Sequence, residues 1–188
     1  MIKLGVLGST KGTDLEPIIK AINQKTLKAK VCVVVSNKPK AYILKRAKYN
    51  NIPSYYISTK NKSRTNFDSE LTRTLTKYSV DLVLLIGFMR ILSSSFCKKW
   101  NKKIINVHPS LLPRYAGGMD TDVHKEVIKN KDKTTGCTIH FVTENLDAGP
   151  ILIQKKCQVK KEDSINSLKR KVQKLEGEAF IEAIQMLS

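Results

Sequence analysis

Tryptophan occurs once, aromatic residues make up only 6% of the chain, and Asp and Glu number 16 against 34 Lys and Arg. So few aromatic rings leave little for stacking on bases, which weakens a nucleic-acid reading despite the basic balance. No stretch approaches the ~20 consecutive apolar residues of a membrane helix. The N-terminal run Met1-Ile2-Lys3-Leu4-Gly5-Val6-Leu7 is too short for the apolar core of a signal peptide and enters a glycine turn directly. A cytoplasmic protein with no membrane partner is expected. Cys32, Cys97, Cys137 and Cys157 are scattered, without C-x-x-C spacing or nearby His pairs. That argues against a disulfide framework and a structural zinc site, and leaves Cys32 and Cys157 as small hydrophobes. No repeat, low-complexity segment or linker divides the chain, so residues 1–188 are expected to form a single domain.

What is present suits one folded core. The 188 residues are 41% apolar, an ordinary proportion. The formal charge of +18 comes from lysines spread along most of the chain rather than gathered in a stripe. Such a surface favours polyanionic ligands in general, and without a basic stripe no nucleic-acid partner is expected.

Short apolar runs at 3–7, 30–36, 54–57, 81–86, 104–107, 138–142 and 152–159 read as strands. Helical patterns fill 13–24, 40–49, 63–77, 93–99, 122–129 and 164–187. This alternation predicts an α/β fold: a Rossmann-like open sheet of about seven mostly parallel strands, with helices on both faces. Ligands of such sheets bind beyond the carboxyl ends of the strands. The loops at 108–121 and 143–150 follow predicted strands and so belong to that edge.

Four elements carry chemistry. In Asn106-Val107-His108-Pro109 the period of a strand turns Asn106 and His108 to one face, and Pro109 ends the strand. An amide and an imidazole then stand side by side, one a donor to a carbonyl oxygen, the other able to exchange a proton near neutral pH. In Leu146-Asp147-Ala148-Gly149-Pro150 the aspartate sits in a turn, where it bonds backbone or reaches His108 and raises its charged fraction. His140 lies on a strand, where it either supports the site or simply packs beside it; His124, on a helix, reads as surface or structural. The turn Gly8-Ser9-Thr10-Lys11-Gly12 opens onto Thr13-Asp14-Leu15-Glu16, which fits a capping box with Thr13 as N-cap. Its free amides and helix dipole suit a phosphate, although the turn is neither a Walker loop nor a G-x-G-x-x-G. Finally, in Gly87-Phe88-Met89-Arg90-Ile91-Leu92, the glycine admits a flat ligand and Arg90 can meet a carboxylate.

Together and in this order, these elements resemble the folate-dependent formyltransferases, and within them the branch acting on glycinamide ribonucleotide. Asn106-x-His108-Pro-Ser-Leu-Leu-Pro is similar across the wider family; Gly-Phe-Met-Arg-Ile-Leu and Leu-Asp-Ala-Gly-Pro-Ile-Leu look like this branch. The resemblance implies transfer of the formyl group of 10-formyltetrahydrofolate to the amine of phosphoribosylglycinamide through a tetrahedral intermediate. It implies Asn106, His108 and Asp147 as catalytic residues, and Gly12, Thr13, Asp14 and Glu176 around phosphate and ribose. Arg64, Met89, Arg90, Ile91, Leu92, Asn106 and Val142 would hold the folate. No metal is expected, and the assembly is a monomer or a homodimer. Family members commonly carry Asn where Asp14 stands, and the segment from Tyr115 to His124 departs from the better-known Tyr-Pro-Gly form. The alternatives are methionyl-tRNA as acceptor, formyltetrahydrofolate hydrolysis, and a non-enzymatic nucleotide- or RNA-binding protein. The first would bring an Arg-Gly-x-x-Pro-Ile type loop after the Leu-Leu-Pro and a C-terminal RNA-binding domain, the second an N-terminal regulatory domain.

Overall fold

Branched apolar residues on consecutive positions need cover on both sides, and the strands show it. A computed structural model describes residues 1–188 apart from the side chain of Asp120. Its strands are β1 (Ile2–Leu7), β2 (Ala29–Ser36), β3 (Ser54–Tyr56), β4 (Leu82–Leu85), β5 (Ile104–His108), β6 (Thr134–Phe141) and β7 (Ile151–Gln158). The helices are α1 (Leu15–Asn23), α2 (Tyr42–Tyr49), α3 (Arg64–Lys77), α4 (Ser94–Lys99), α5 (Asp120–Lys129) and α6 (Ile165–Met186). Leu4, Val6, Val34 and Leu84 face a core layer closed by Ile18 of α1, Ile43 of α2 and Phe180 of α6. Leu7, Val33, Val35 and Val83 face the other layer, against Phe67 and Leu71 of α3 and Phe96 of α4. Period-two alternation thus sends neighbouring residues of one strand into two separate apolar layers.

The seven strands form one sheet in the order β3-β2-β1-β4-β5-β6-β7. Pairings from β3 through β5 are parallel, whereas β5–β6 and β6–β7 are antiparallel. The chain winds outward from β1 to β3 and then returns to β4 on the other side of β1. The crevice between β1 and β4 is therefore the topological switch point. Two turns meet there: Ser9 N donates to the Gly87 carbonyl at 3.0 Å, and Met89 N donates to Ser9 Oγ at 2.8 Å. Gly87 has φ +58, and a Cβ added there would meet Thr10 Oγ1 at 2.4 Å, so only glycine lets the turns close.

Local detail differs from the sequence reading in three places. β6 begins four residues before the expected strand, at Thr134, because β7 pairs with it along that length. α5 starts at Asp120 rather than 122. The capping box is not formed. Asp14, not Thr13, is the N-cap of α1, and it makes no side-chain cap bond. Leu15 N donates instead to the Gly12 carbonyl at 3.2 Å and Glu16 N to Thr13 at 3.3 Å, tightening the first turn, while the Glu16 carboxylate is taken by Arg46.

The start of α6 shows what a working cap looks like. Ser164 Oγ accepts from Ser167 N at 3.1 Å. Just before it, Asp163 Oδ2 accepts from Lys160 N at 2.9 Å and from Lys171 Nζ at 2.5 Å, and Oδ1 accepts from Ser167 Oγ at 2.8 Å. The Lys171 bond, with these others, holds the Asp163 carboxyl at about 2. A folded-state value below the unfolded one of about 3.9 gives stability that is present above pH ~4 and lost as pH falls toward about 2. Asp163→Asn is expected to lower the melting temperature at pH 7 by several degrees, and chemical denaturation across pH should find the deficit fading between about pH 4 and 2.

Candidate active site

Asn106 and His108 lie at the carboxyl end of β5, and the β5–β6 register sets their neighbours. Asn106 stands opposite His140, and His108 opposite Thr138. Cross-strand partners share a face, so the antiparallel pairing carries His140 into the site. His140 Nδ1 donates to the Phe141 carbonyl at 2.9 Å, which leaves Nε2 to accept from Asn106 Nδ2 at 3.2 Å. The Asn106 amide is thereby oriented, with a second N–H still available.

Asp147 arrives on the β6–β7 loop with φ +50, a left-handed conformation that aspartate tolerates. Its Oδ2 lies 3.2 Å from His108 Nδ1 and accepts from Gly117 N at 2.9 Å; its Oδ1 lies 3.6 Å from His140 Nε2. The Asp147 side chain is only 7% exposed and His108 as a residue 3%. The structure thus brings Asn106, His108 and Asp147 into one cluster.

The turn after the Leu-Leu-Pro segment closes over this cluster. His108 Nε2 faces the Tyr115 carbonyl at 2.8 Å. Ser110 Oγ donates to the Arg114 carbonyl at 2.5 Å, Tyr115 Oη donates to Asp132 Oδ2 at 2.7 Å, and Arg114 Nη2 donates to Asp132 Oδ1 at 2.8 Å. Both His108 nitrogens therefore face acceptors, an arrangement that suits a doubly protonated ring.

Burial opposes it. Desolvation pushes the His108 pKa below the ordinary histidine value, against the Asp147 carboxylate and the Tyr115 carbonyl, which push it up. The expectation that Asp147 raises the charged fraction holds for its own contribution, but burial outweighs it. For Asp147, burial works to raise the pKa, yet the nearby His140, the Gly117 N–H bond and the His108 imidazole overcome this and hold the carboxyl below the usual range.

The other expected site residues distribute around the same edge. Gly12 and Thr13 form the turn before α1, with Gly12 at φ +64, and Asp14 is 5% exposed. Glu176, on α6, is 7% exposed, and the neighbouring Gly177 packs on the Pro17 ring of α1. Met89 and Ile91 expose apolar side chains, and Val142, just after β6, is half-buried against the apolar layer that holds Leu92. Arg90 lies over the Phe67 ring at 4.8 Å, with a buried Nε that has no partner among the described residues. Leu92 turns into the core at 5% exposure, so only its backbone is left to line a pocket. Arg64 is exposed at the first turn of α3. His124 is 1% exposed and hence structural rather than surface. A depression of about 690 Å3 lies at the opposite end of the strands, lined by Lys3, Lys30, Asn50 and Tyr78. It holds no histidine, whereas His108, His140 and Asp147 cluster at the carboxyl edge and make that edge the candidate site.

Among the described residues, no group of three or more His, Cys, Asp or Glu is arranged to hold a metal ion, and no helix is long and apolar enough to cross a membrane. The four cysteines are free.

The formyl transferase family model matches residues 2–184, nearly the whole chain. The chain belongs to the formyl transferase family. Among formyl transferase relatives, the phosphoribosylglycinamide formyltransferase of Haemophilus influenzae is 38% identical over 96% of this chain and 84% of its own length. The trifunctional purine biosynthetic protein adenosine-3 of Gallus gallus is 43% identical over the whole chain, which spans only 18% of that protein. The crystal structure of glycinamide ribonucleotide transformylase 1 from Symbiobacterium toebii superposes with a TM-score of 0.92 at 35% identity, covering 98% of this chain and 86% of that one. The formyl transferase fold is thus shared from β1 to α6, including the antiparallel β6 and β7 that deliver His140 and Asp147.

Proposed function

We propose that this chain transfers the formyl group of 10-formyltetrahydrofolate to the amine of 5'-phosphoribosylglycinamide, a step of purine synthesis in the cytoplasm, with residues 1–188 acting as one catalytic unit. The observation that carries the reading is the Asp147–His108 pair at 3.2 Å, beside an Asn106 amide aimed by His140.

Attack of the amine on the formyl carbon puts negative charge on the formyl oxygen. The second N–H of Asn106 and a protonated His108 stabilise that oxygen; each such donor is typically worth about 3–4 kcal/mol in the transition state. The Tyr115 carbonyl, 2.8 Å from His108 Nε2, stands where an oxygen acceptor would sit, so the formyl oxygen takes over its place. As charge builds there, the proton affinity of His108 rises and offsets the effect of burial. His108 then delivers a proton to the departing folate nitrogen, and Asp147 accepts the amine proton through water.

The rest of the edge fits the two substrates. Met89 and Ile91 present apolar surface for a flat ring, with Val142 beside it. Arg90, whose buried Nε has no partner among the described residues, and Arg64 suit the carboxylates of a folate tail. Gly12, Thr13 and Asp14 receive the phosphate, and Glu176 the ribose hydroxyls.

The test is a spectrophotometric assay of deformylated folate, with and without phosphoribosylglycinamide. Product formation that depends on the acceptor is expected. Steady formation without it would make the chain a hydrolase, and no formation with either would end the reading.

A further inference from the structure

The glycine turn before α1 is held from behind by α2. Ile43 N donates to the Thr10 carbonyl at 3.2 Å, and Arg46 Nε donates to the Lys11 carbonyl at 2.7 Å. The same guanidinium pairs with Glu16, in the first turn of α1, and its carbon lies 4.9 Å from the centre of the Tyr42 ring. Arg46 is 15% exposed in its side chain, against 62% for Glu16. One planar fork thus ties together the entry to the turn, the helix after it and an aromatic face, a task that suits arginine and not lysine.

The consequence follows from the planarity of the peptide bond. In a trans peptide the carbonyl of one residue and the N–H of the next point in opposite directions. With the Lys11 carbonyl drawn to Arg46, the Gly12 N–H must point away from α2, toward the open side of the turn. The Thr10 carbonyl, held by Ile43 N, does the same for the Lys11 N–H. Gly12 packs too closely on α2 to carry a side chain: a Cβ there would meet Ile43 Cγ1 at 2.3 Å. Neither the Gly12 nor the Thr13 amide donates to an acceptor among the described residues. Without Arg46, the Lys11 carbonyl would be free to swing outward, where its partial negative charge would meet an anion.

Resting on the proposed function, we propose that Arg46 is a positioning residue for the acceptor's phosphate, acting from behind the turn without touching the ligand. It sets the direction of the amides that receive the phosphate, and so it governs affinity for the phosphorylated acceptor rather than the chemical step.

The experiment compares wild type and Arg46→Met in steady-state kinetics with phosphoribosylglycinamide and with its phosphate-free analogue, ribosylglycinamide. Arg46→Met should raise KM for the phosphorylated acceptor about tenfold, the scale of one lost charge-assisted contact. The kcat at saturation and KM for the formyl folate should stay within about twofold, and kcat/KM for the phosphate-free acceptor should match wild type. Glu16→Gln, which loosens the hold on Arg46, should shift KM in the same direction by less. Wild type that discriminates between the two acceptors, with Arg46→Met discriminating just as strongly, would overturn the role of Arg46 alone. Wild type that handles both acceptors equally would overturn the phosphate site itself. A loss of equal size on both acceptors with a lowered melting temperature would make Arg46 merely structural and overturn the inference.

Discussion

Asp147→Asn is expected to lower kcat by about two to four orders of magnitude while the protein stays folded; the same exchange behind the histidine of a hydrolase triad costs about 10^4. The carboxylate serves two donors at once, with a third nitrogen close by. Oδ2 faces His108 Nδ1 at 3.2 Å and accepts from Gly117 N at 2.9 Å, and Oδ1 faces His140 Nε2 at 3.6 Å. An amide can keep one oxygen for these two, but as a neutral acceptor it holds both less strongly. It also removes the charge that works against burial to keep His108 protonatable. The stability cost should be smaller and should depend on pH in a definite direction. The Asp147 pKa is depressed in the folded state, so its contribution is present above the unfolded value of about 3.9 and lost on further acidification. Thermal unfolding of the variant should therefore converge on wild type below about pH 4. Steady-state rates within about threefold of wild type would remove Asp147 from the chemistry.

His108→Ala comes second, with an expected loss of about 10^3 in kcat: removal of one oxyanion donor accounts for about 10^2–10^3, and the lost proton transfer adds to it. The side chain is 4% exposed and lies between the Asp147 carboxylate and the Tyr115 carbonyl. Truncation leaves both acceptors facing a small cavity, which favours entry of water over collapse of the turn. KM for the two substrates should change far less than kcat, because His108 acts on charge that exists only in the transition state. Single-turnover formyl transfer measured at saturating substrates checks this. A variant that keeps near-wild-type turnover would leave Asn106 as the sole oxyanion donor and remove His108 from the mechanism.

Much of the site is legible in the chain because it depends on local rules. The two-residue spacing of Asn106 and His108 requires a shared face on any strand, and Pro109 requires the strand to end there. The turn Asp147-Ala148-Gly149-Pro150 announces itself by composition. The glycine at 12 marks a left-handed position, found at φ +64. The capping box failed for an equally local-looking reason that is in truth tertiary: Glu16 had a better partner in Arg46, thirty residues on in another helix. The chain alone does not separate packing from catalysis at His140, because only the antiparallel register with β5 sets it opposite Asn106.

By itself, the sequence determined the alternation of strands and helices, the two-sided burial of the sheet, and the residue types at its carboxyl edge, since periodicity and turn chemistry act over a few residues. The tertiary structure decided which residues meet across the sheet: His140 with Asn106, Gly117 and His108 with Asp147, and Arg46 with the turn at Lys11. It also decided the protonation balance of His108, where burial outweighs the aspartate beside it. Contacts between distant segments and the loss of solvent around a ring are properties of the packed chain, and no local pattern encodes them.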